Sequence, residues 1–219
     1  MFKNLQFITH SDDPEVQLEQ VRKACESGVE WIQVRIKAHS KEEVKDLAKE
    51  ARIITSKFGV MLCINDHLDV ALHCKADACH LGKGDMPIAS AKALTEGNKV
   101  LIGATCNTIE DVYAAYKAGA DYIGLGPYRF TTTKEKLSPQ LGIDGYKSII
   151  DQMAAKNITT PIVAIGGIEV EDVKPILITG VQGIAISNAI INAENWKEQV
   201  AFFQNELTTT KEKSNVANS

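Results

Sequence analysis

The chain has 219 residues, of which 44% are hydrophobic and 24% charged, and its formal net charge is −4 with a pI near 5.8. This length suits one α/β-barrel domain or two small domains. The acidic balance argues against a general nucleic-acid binder, although it leaves room for a local basic pocket. No apolar run approaches the roughly 18 residues of a membrane span and no signal peptide is recognisable, so we expect a cytoplasmic protein.

Short apolar runs typical of strands alternate along the chain with segments of helical spacing. In segments 16–24, 44–54 and 112–116, apolar residues recur every three or four positions. Strands that alternate with helices predict a parallel sheet. The strand-like runs begin near Leu5, Glu30, Val60, Asp77, Lys99, Asp121, Pro161 and Gln182. Eight such units predict a single-domain α/β fold, the (β/α)8 TIM barrel.

A recurring pattern favours one repeated architecture. Gly28, Gly119 and Gly180 each follow a helical segment and precede an apolar strand by two or three residues, as expected of glycine after a helix. The alternative, an open doubly wound sheet, would not need eight units. We therefore predict a barrel over residues 1–207 and, because the last dozen residues are polar without an apolar face, a disordered tail over 208–219.

The second predicted strand carries Gln33, Arg35 and Lys37 at alternating positions. Alternation places all three on one side, which in a barrel is the interior. An amide and two cations are costly there unless an anion meets them. Arginine grips phosphate oxygens bidentately, while lysine acts as a point charge. This strand predicts a phosphate site, with an internal salt-bridge layer as the alternative.

Carboxylates follow the third and fourth predicted strands. Asp66 comes directly after Asn65, and Asp85 follows His80 by five positions. Two carboxylates at neighbouring strand ends suit Mg2+, which binds one or two carboxylates together with substrate phosphates. The alternative is that each aspartate only caps the next helix. We expect His80 to be a hydrogen-bonded side chain beneath the site.

The fifth and sixth predicted strands lead into neutral polar residues. Thr105 and Asn107 offer hydrogen bonds at the end of strand five. Segment 127–143 has neither helical nor strand pattern, and long loops in compact domains are often functional. It contains Thr131, Thr133 and Lys134, which predicts a loop that closes over a phosphate. A solvated polar loop is the alternative.

Glycines mark the ends of the last two predicted strands. The segments 164–168 and 183–190 each run from apolar residues to small ones before a helix. Glycine lets the backbone approach a ligand closely, and free N–H groups can then point at an anion. The loops after strands seven and eight of such barrels often bind phosphate. A small phosphorylated ligand is therefore predicted, with two empty tight turns as the alternative.

Taken in order, these motifs resemble those of the thiamine-phosphate synthase family, also called thiamine-phosphate pyrophosphorylase. The likeness covers about residues 5–205. The family patterns Gln-Leu-Arg-x-Lys, Asn-Asp, His-Leu-Gly-x-x-Asp, Gly-Pro-x-x-x-Thr-x-Thr-Lys, Gly-Gly-Ile and Ile-Ser have counterparts at 33–37, 65–66, 80–85, 126–134, 166–168 and 186–187.

The resemblance implies a transferase that needs Mg2+ and acts on small phosphorylated molecules, with no nucleic acid or membrane partner and with homo-oligomerisation left open. Hydroxymethylpyrimidine diphosphate would lose pyrophosphate, through a carbocation in this family, and the nitrogen of thiazole phosphate would take its place to give thiamine phosphate. The implied Mg2+ ligands are Asp66 and Asp85. The implied ligands of the pyrimidine diphosphate are Gln33, Arg35, Lys37, Asn65, Thr105 and Lys134, with Arg35, Lys37 and Lys134 as the catalytic residues. Those of the thiazole phosphate are Thr131, Thr133, Gly167, Ile186 and Ser187.

The chain departs from the family pattern at three positions. Ile36 replaces a commonly acidic residue and is expected to face outward, while Thr105 and Asn107 replace common serine and histidine and affect the pyrimidine contacts. One alternative is the related thiazole tautomerase, which lacks the full diphosphate and metal residues. Another is a non-catalytic barrel that binds a phosphorylated ligand. The retained cations and carboxylates favour the synthase.

Overall fold

The computed structural model describes residues 3–37, 39–129 and 140–217, with the backbone alone for 211–217. Its strands are β1 (Leu5–Ile8), β2 (Trp31–Val34), β3 (Met61–Asn65), β4 (Ala78–Leu81), β5 (Leu101–Cys106), β6 (Tyr122–Leu125), β7 (Ile162–Ile165) and β8 (Gly183–Ile186). Its helices are α1 (Pro14–Glu26), α2 (Lys41–Phe58), α3 (Leu68–His73), α4 (Ile88–Leu94), α5 (Ile109–Lys117), α6 (Gly142–Ala155), α7 (Val170–Ile178), α8 (Asn188–Ile191) and α9 (Trp196–Ala217). Within the described ranges, no helix combines the length and apolarity needed to cross a bilayer.

The eight strands form a closed parallel barrel in sequence order, with β8 pairing back onto β1. The predicted (β/α)8 barrel is thus confirmed, and each strand begins within two residues of its predicted start. The backbone of α9 continues through Ala217. The division into a barrel and a polar tail at residue 208 stays a prediction.

Local capping fixes where helices begin after the loops at the carboxyl ends of the strands. Before α2, the Ser40 hydroxyl accepts the Glu43 N–H at 3.3 Å, and the Glu43 carboxylate accepts the Ser40 N–H at 2.9 Å. Thr108 and Asp111 form the same reciprocal box before α5. These bonds satisfy N–H groups that the first helical turn leaves free, so they hold the ends of the loops that carry candidate ligands.

The barrel interior is packed below its carboxyl end. Trp31 and Tyr122 lie edge to face with ring centroids 5.0 Å apart. Gly103 leaves room for this ring, because a Cβ there would lie 2.1 Å from Cζ of Tyr122. The same buried cluster includes Ile8, Cys63, Ala78, Val163 and Ala185. The interior is therefore a core rather than a pore, and ligands have access only at the strand ends.

A larger apolar cluster lies between the sheet and the helices. Ile36 belongs to it and is 7% exposed, so it faces away from the barrel interior, as expected. The helical face of α1 differs from the one that its apolar spacing predicts. Val16 is 39% exposed, whereas the neighbouring Gln17 is completely buried. Hydrogen bonds to loop backbone, described below, account for this buried amide.

Candidate active site

The ends of β2 and β3 present a buried pair of amides. Gln33 is 2% exposed, and its Nε2 donates to Oδ1 of Asn65 at 2.7 Å. Among the described residues, the buried Oε1 of Gln33 has no hydrogen-bond partner. An unsatisfied buried acceptor is costly, so this oxygen is suited to accept a hydrogen bond from a ligand.

Beyond these amides, Lys37 and Asp66 form an ion pair across neighbouring strand ends. Lys37 Nζ lies 2.7 Å from Oδ2 of Asp66. Asp66 adopts a left-handed conformation, φ +66°, and its N–H donates to the carbonyl of His80 at 2.8 Å. Burial alone would raise the pKa of Asp66, but the hydrogen bond and charge of Lys37 hold that pKa below its ordinary value.

Asp66 and Asp85 are close enough for each carboxyl group to affect the pKa of the other. Asp85 Oδ2 accepts the N–H of Gly82 at 2.7 Å, which fixes the tight turn after β4. Burial raises the pKa of Asp85, and the neighbouring Asp66 raises it further. The N-cap positions of α3 and α4 are occupied by His67 and Pro87, so these carboxylates are not the helix caps that the alternative reading required.

This donor set fits Mg2+. In the described ranges, no three His, Cys, Asp or Glu side chains converge as a metal cluster, so a cation at Asp66 and Asp85 would complete its shell with water or substrate oxygens. Mg2+ commonly binds in this way, through one or two carboxylates and phosphates. Two adjacent carboxylates repel each other, and Lys37 offsets this repulsion from the Asp66 side alone, so a cation shared by both carboxylates would stabilise the pair further.

His80 lies beneath these groups and is fully engaged. Its Nε2 is 2.9 Å from the Thr105 hydroxyl, and its Nδ1 is 3.2 Å from the hydroxyl of Tyr122. Gly124 makes room for the ring, since a Cβ there would lie 2.8 Å from Cε1 of His80. The expectation of a hydrogen-bonded histidine is confirmed. Asn107 donates its amide to the carbonyl of Gly126, so this amide holds the start of the loop after β6.

A cavity of about 110 Å³ opens at the ends of β7 and β8. Gly166 and Gly167 border it with φ of +102° and +66°. Ile186 and Ser187 line it from β8, and the buried Oγ of Ser187 has no partner in the part of the chain that the structure describes. Arg35 lines the same cavity. Because β8 pairs with β1 and β1 with β2, Arg35 at the end of β2 lies close to the residues that follow β7 and β8, although they are distant in sequence.

Arg129 and Asp172 hold the glycine turn and were missed by the sequence reasoning. Arg129 Nη1 donates to the carbonyl of Gly167 at 3.1 Å, and Nη2 to Oδ1 of Asp172 at 2.7 Å. Asp172, 6% exposed, accepts the N–H of Glu169 at 2.9 Å. The three-residue spacing of Glu169 and Asp172 is a capping-box signal, but nothing in the sequence links either to Arg129.

The structure thus brings together Gln33, Lys37, Asn65, Asp66, Asp85 and Thr105 at one side of the barrel mouth, and Gly167, Ile186 and Ser187 at the other, where Arg35 also lines the cavity. The predicted loop ligands Thr131, Thr133 and Lys134 lie outside the described residues.

Comparison with known proteins gives matches along most of the chain. A family model described as "Thiamine monophosphate synthase" matches residues 5–190, a range that contains all eight strands. Thiamine-phosphate synthase from Bacteroides thetaiotaomicron is 48% identical over 192 residues, covering 88% of this chain and 91% of that protein. The Bacteroides fragilis enzyme of the same name is 47% identical over 196 residues, covering 90% and 96%. Among solved structures, thiamine phosphate pyrophosphorylase from Pyrococcus furiosus has a TM-score of 0.81 at 33% identity, covering 94% and 96%.

Proposed function

The chain belongs to the thiamine monophosphate synthase family and is a transferase, and we propose that it joins hydroxymethylpyrimidine diphosphate to thiazole phosphate, releasing pyrophosphate and forming thiamine phosphate. The observation that carries this proposal is the pairing of two unlike anion sites on one barrel mouth. The first has Lys37 and two carboxylates. The second has glycine backbone and the Ser187 hydroxyl, which is unpartnered among the described residues, with Arg35 and Glu169 also in its lining. A diphosphate with a metal suits the first site, and a monophosphate suits the second.

In the first site, Asp66 and Asp85 would hold Mg2+, whose charge would stabilise the departing pyrophosphate. Arg35 and Lys37 bind the phosphate oxygens, since a guanidinium grips two oxygens at once and an ammonium adds a mobile point charge. Lys134 is proposed to add a further cation from the loop after β6. All of these groups act on the charge that develops as the pyrophosphate leaves.

The buried amides orient the pyrimidine. The Gln33 Oε1, which has no partner among the described residues, accepts a hydrogen bond from the exocyclic amino group of the pyrimidine, and Asn65 fixes the Gln33 rotamer through the 2.7 Å amide contact. Thr105 is held by His80 at 2.9 Å. No general base is required, because the attacking thiazole nitrogen carries no proton. Catalysis then depends on positioning and on charge stabilisation.

The cavity at β7 and β8 receives the thiazole phosphate. The hydroxyl of Ser187 and the backbone of Gly167 offer donors to a phosphate. Ile8, Ile165 and Ile186 supply apolar walls, which limit the access of water to the cationic pyrimidine carbon. Thr131 and Thr133 are proposed to complete the site from the loop.

The direct test is to incubate the wild-type chain with both substrates and Mg2+ and to measure thiamine phosphate and pyrophosphate together. We expect both products in equal amounts, and none when either substrate is omitted. Isomerised thiazole without thiamine phosphate would instead indicate the tautomerase. Binding of both ligands without any product would indicate a non-catalytic barrel.

A further inference from the structure

Arg35 lies just beyond β2, where strand pairing with β1 has ended. The last paired residues of β1 and β2 are Ile8 and Gln33. The Arg35 N–H instead donates to the Thr9 hydroxyl at 3.0 Å, and its carbonyl accepts from Nε2 of Gln17 at 2.7 Å. Hydrogen bonds with the Thr9 and Gln17 side chains therefore hold the backbone of Arg35 in place of the strand pairing that has ended.

Gln17 reaches this point from α1 and is completely buried. Its Nε2 also donates to the carbonyl of Ser11 at 2.7 Å, and its Oε1 accepts the hydroxyl of Thr9. All the hydrogen-bonding groups of the amide are thus used. A buried amide is costly unless it is paired, so this network has one low-energy arrangement, and that arrangement includes the backbone of Arg35.

Thr9 is the centre of the network. It is completely buried, and its hydroxyl donates to Gln17 while accepting from Arg35. Its own N–H donates to the carbonyl of Gln33 at 3.0 Å. Thr9 and Arg35 both line the cavity at β7 and β8. The network therefore ends at the place where the two proposed phosphate sites meet.

We infer that Thr9 and Gln17 are positioning residues that set the place of the Arg35 guanidinium and, through it, the affinity for the phosphorylated substrates. This inference rests on the proposed function, because Arg35 is the phosphate ligand through which both residues act. Neither residue contacts the reacting atoms. Their loss shifts Arg35 away from the geometry in which it grips two oxygens, and bidentate binding depends steeply on that geometry.

The chain contains a matched control. Gln20 lies on α1 three residues after Gln17 and is 7% exposed. Its amide accepts the N–H of His10 at 2.8 Å and donates to the carbonyl of His10 at 3.1 Å. Gln20 thus holds the loop between β1 and α1 with the same chemistry as Gln17, but both of these bonds go to His10 and not to Arg35.

The experiment compares Gln17→Met with Gln20→Met, and Thr9→Val with Thr9→Ser, by KM for each substrate, kcat, thermal unfolding and calorimetric binding of inorganic pyrophosphate with Mg2+. We expect Gln17→Met and Thr9→Val to raise the KM of the diphosphate about tenfold. This is the effect of losing one of the two charge-assisted hydrogen bonds that the Arg35 guanidinium makes to phosphate oxygens. Gln20→Met should stay within about twofold of wild type. Thr9→Ser, which keeps the hydroxyl, should restore most of the affinity that Thr9→Val loses.

The decisive readout is Gln17→Met in an Arg35→Ala background, where it should have no further effect on KM or pyrophosphate affinity if it acts through Arg35. Additive effects, or equal shifts for Gln17→Met and Gln20→Met, would overturn the inference. If Gln17→Met does not fold, the Thr9→Val and Thr9→Ser pair decides in its place. A wild-type chain that makes no thiamine phosphate would reject the proposed function, whereas pyrophosphate binding would still test the network.

Discussion

The two sides of the barrel mouth are built on different principles. On the side of β2 to β4, charged side chains hold one another, as in the 2.7 Å contact of Lys37 with Asp66. On the side of β7 and β8, the backbone of two glycines at positive φ borders the site, and the buried Ser187 hydroxyl has no partner among the residues that the structure describes. Loss of a carboxylate on the first side should therefore impair chemistry, while a change on the second side should impair binding of one substrate.

Arg35 stands between these two sides. It extends from the end of β2, yet it lines the cavity of β7 and β8. Its cation can therefore reach both phosphates, but the diphosphate carries the greater charge and should depend on it more. The following predictions run from the largest expected effect to the smallest.

The largest effect is expected for Asp85→Asn on the charged side. The variant keeps the shape and can still accept the Gly82 N–H, but it removes one carboxylate from the proposed metal site. We expect turnover to fall by about 10²–10³, the usual effect of losing one electrostatic contact to the transition state, and a chelator to abolish wild-type activity. The control is Asp151→Asn, an exposed carboxylate on α6, and full activity in the chelator would contradict a metal role.

A smaller effect is expected for Ser187→Ala on the glycine side. The hydroxyl is buried without a partner in the described part of the chain, and a bond from it to a phosphate would be charge-assisted. Its loss should raise the KM of thiazole phosphate about tenfold with little change in kcat. Steady-state kinetics with each substrate varied in turn measures this. A rise confined to the pyrimidine diphosphate would reverse the assignment of the two sides.

The smallest effect is expected for Arg129→Met, which frees the turn without removing a ligand. It removes the contacts with the carbonyl of Gly167 and with Asp172, so the KM of thiazole phosphate should rise about fivefold, equivalent to roughly 1 kcal/mol. Arg52→Met is the matched control, because Arg52 pairs with Asp77 at 2.6 Å at the opposite end of the barrel. Equal KM changes in both variants would indicate a general loss of stability instead.

Sequence spacing predicted the barrel because its signals are local. An apolar run, a following helix and a glycine after that helix lie within about 25 residues of each other, and closure follows from repeating them. The candidate ligands at strand ends were predictable for the same reason. Parallel strands place their carboxyl ends at one edge, so Gln33, Asn65 and Asp85 needed no knowledge of long-range contacts.

The supporting contacts were not predictable, because they join residues without any shared local pattern. Arg129 and Asp172 are 43 positions apart, and Gln17 and Arg35 are 18 apart. From the sequence alone, the polar Gln17 on α1 would be expected to face solvent. It is completely buried because its amide donates to the backbone carbonyls of Ser11 and Arg35. The spacing of apolar residues identifies the apolar face of a helix. It does not predict the burial of a polar residue such as Gln17, whose amide hydrogen-bonds to the backbone of neighbouring loops.

The central claim is that each side of the barrel mouth serves one substrate, and crossed titration of Arg35→Ala and Gly167→Val tests it most directly. Valine is strained at the φ of +66° found at Gly167, and Gly28→Val, at a φ of +90° with open space around it, controls for strain alone. The account predicts that Arg35→Ala mainly raises the KM of the pyrimidine diphosphate and Gly167→Val mainly that of thiazole phosphate. If Arg35→Ala raised only the thiazole phosphate KM, or Gly167→Val only the pyrimidine diphosphate KM, the account would be contradicted.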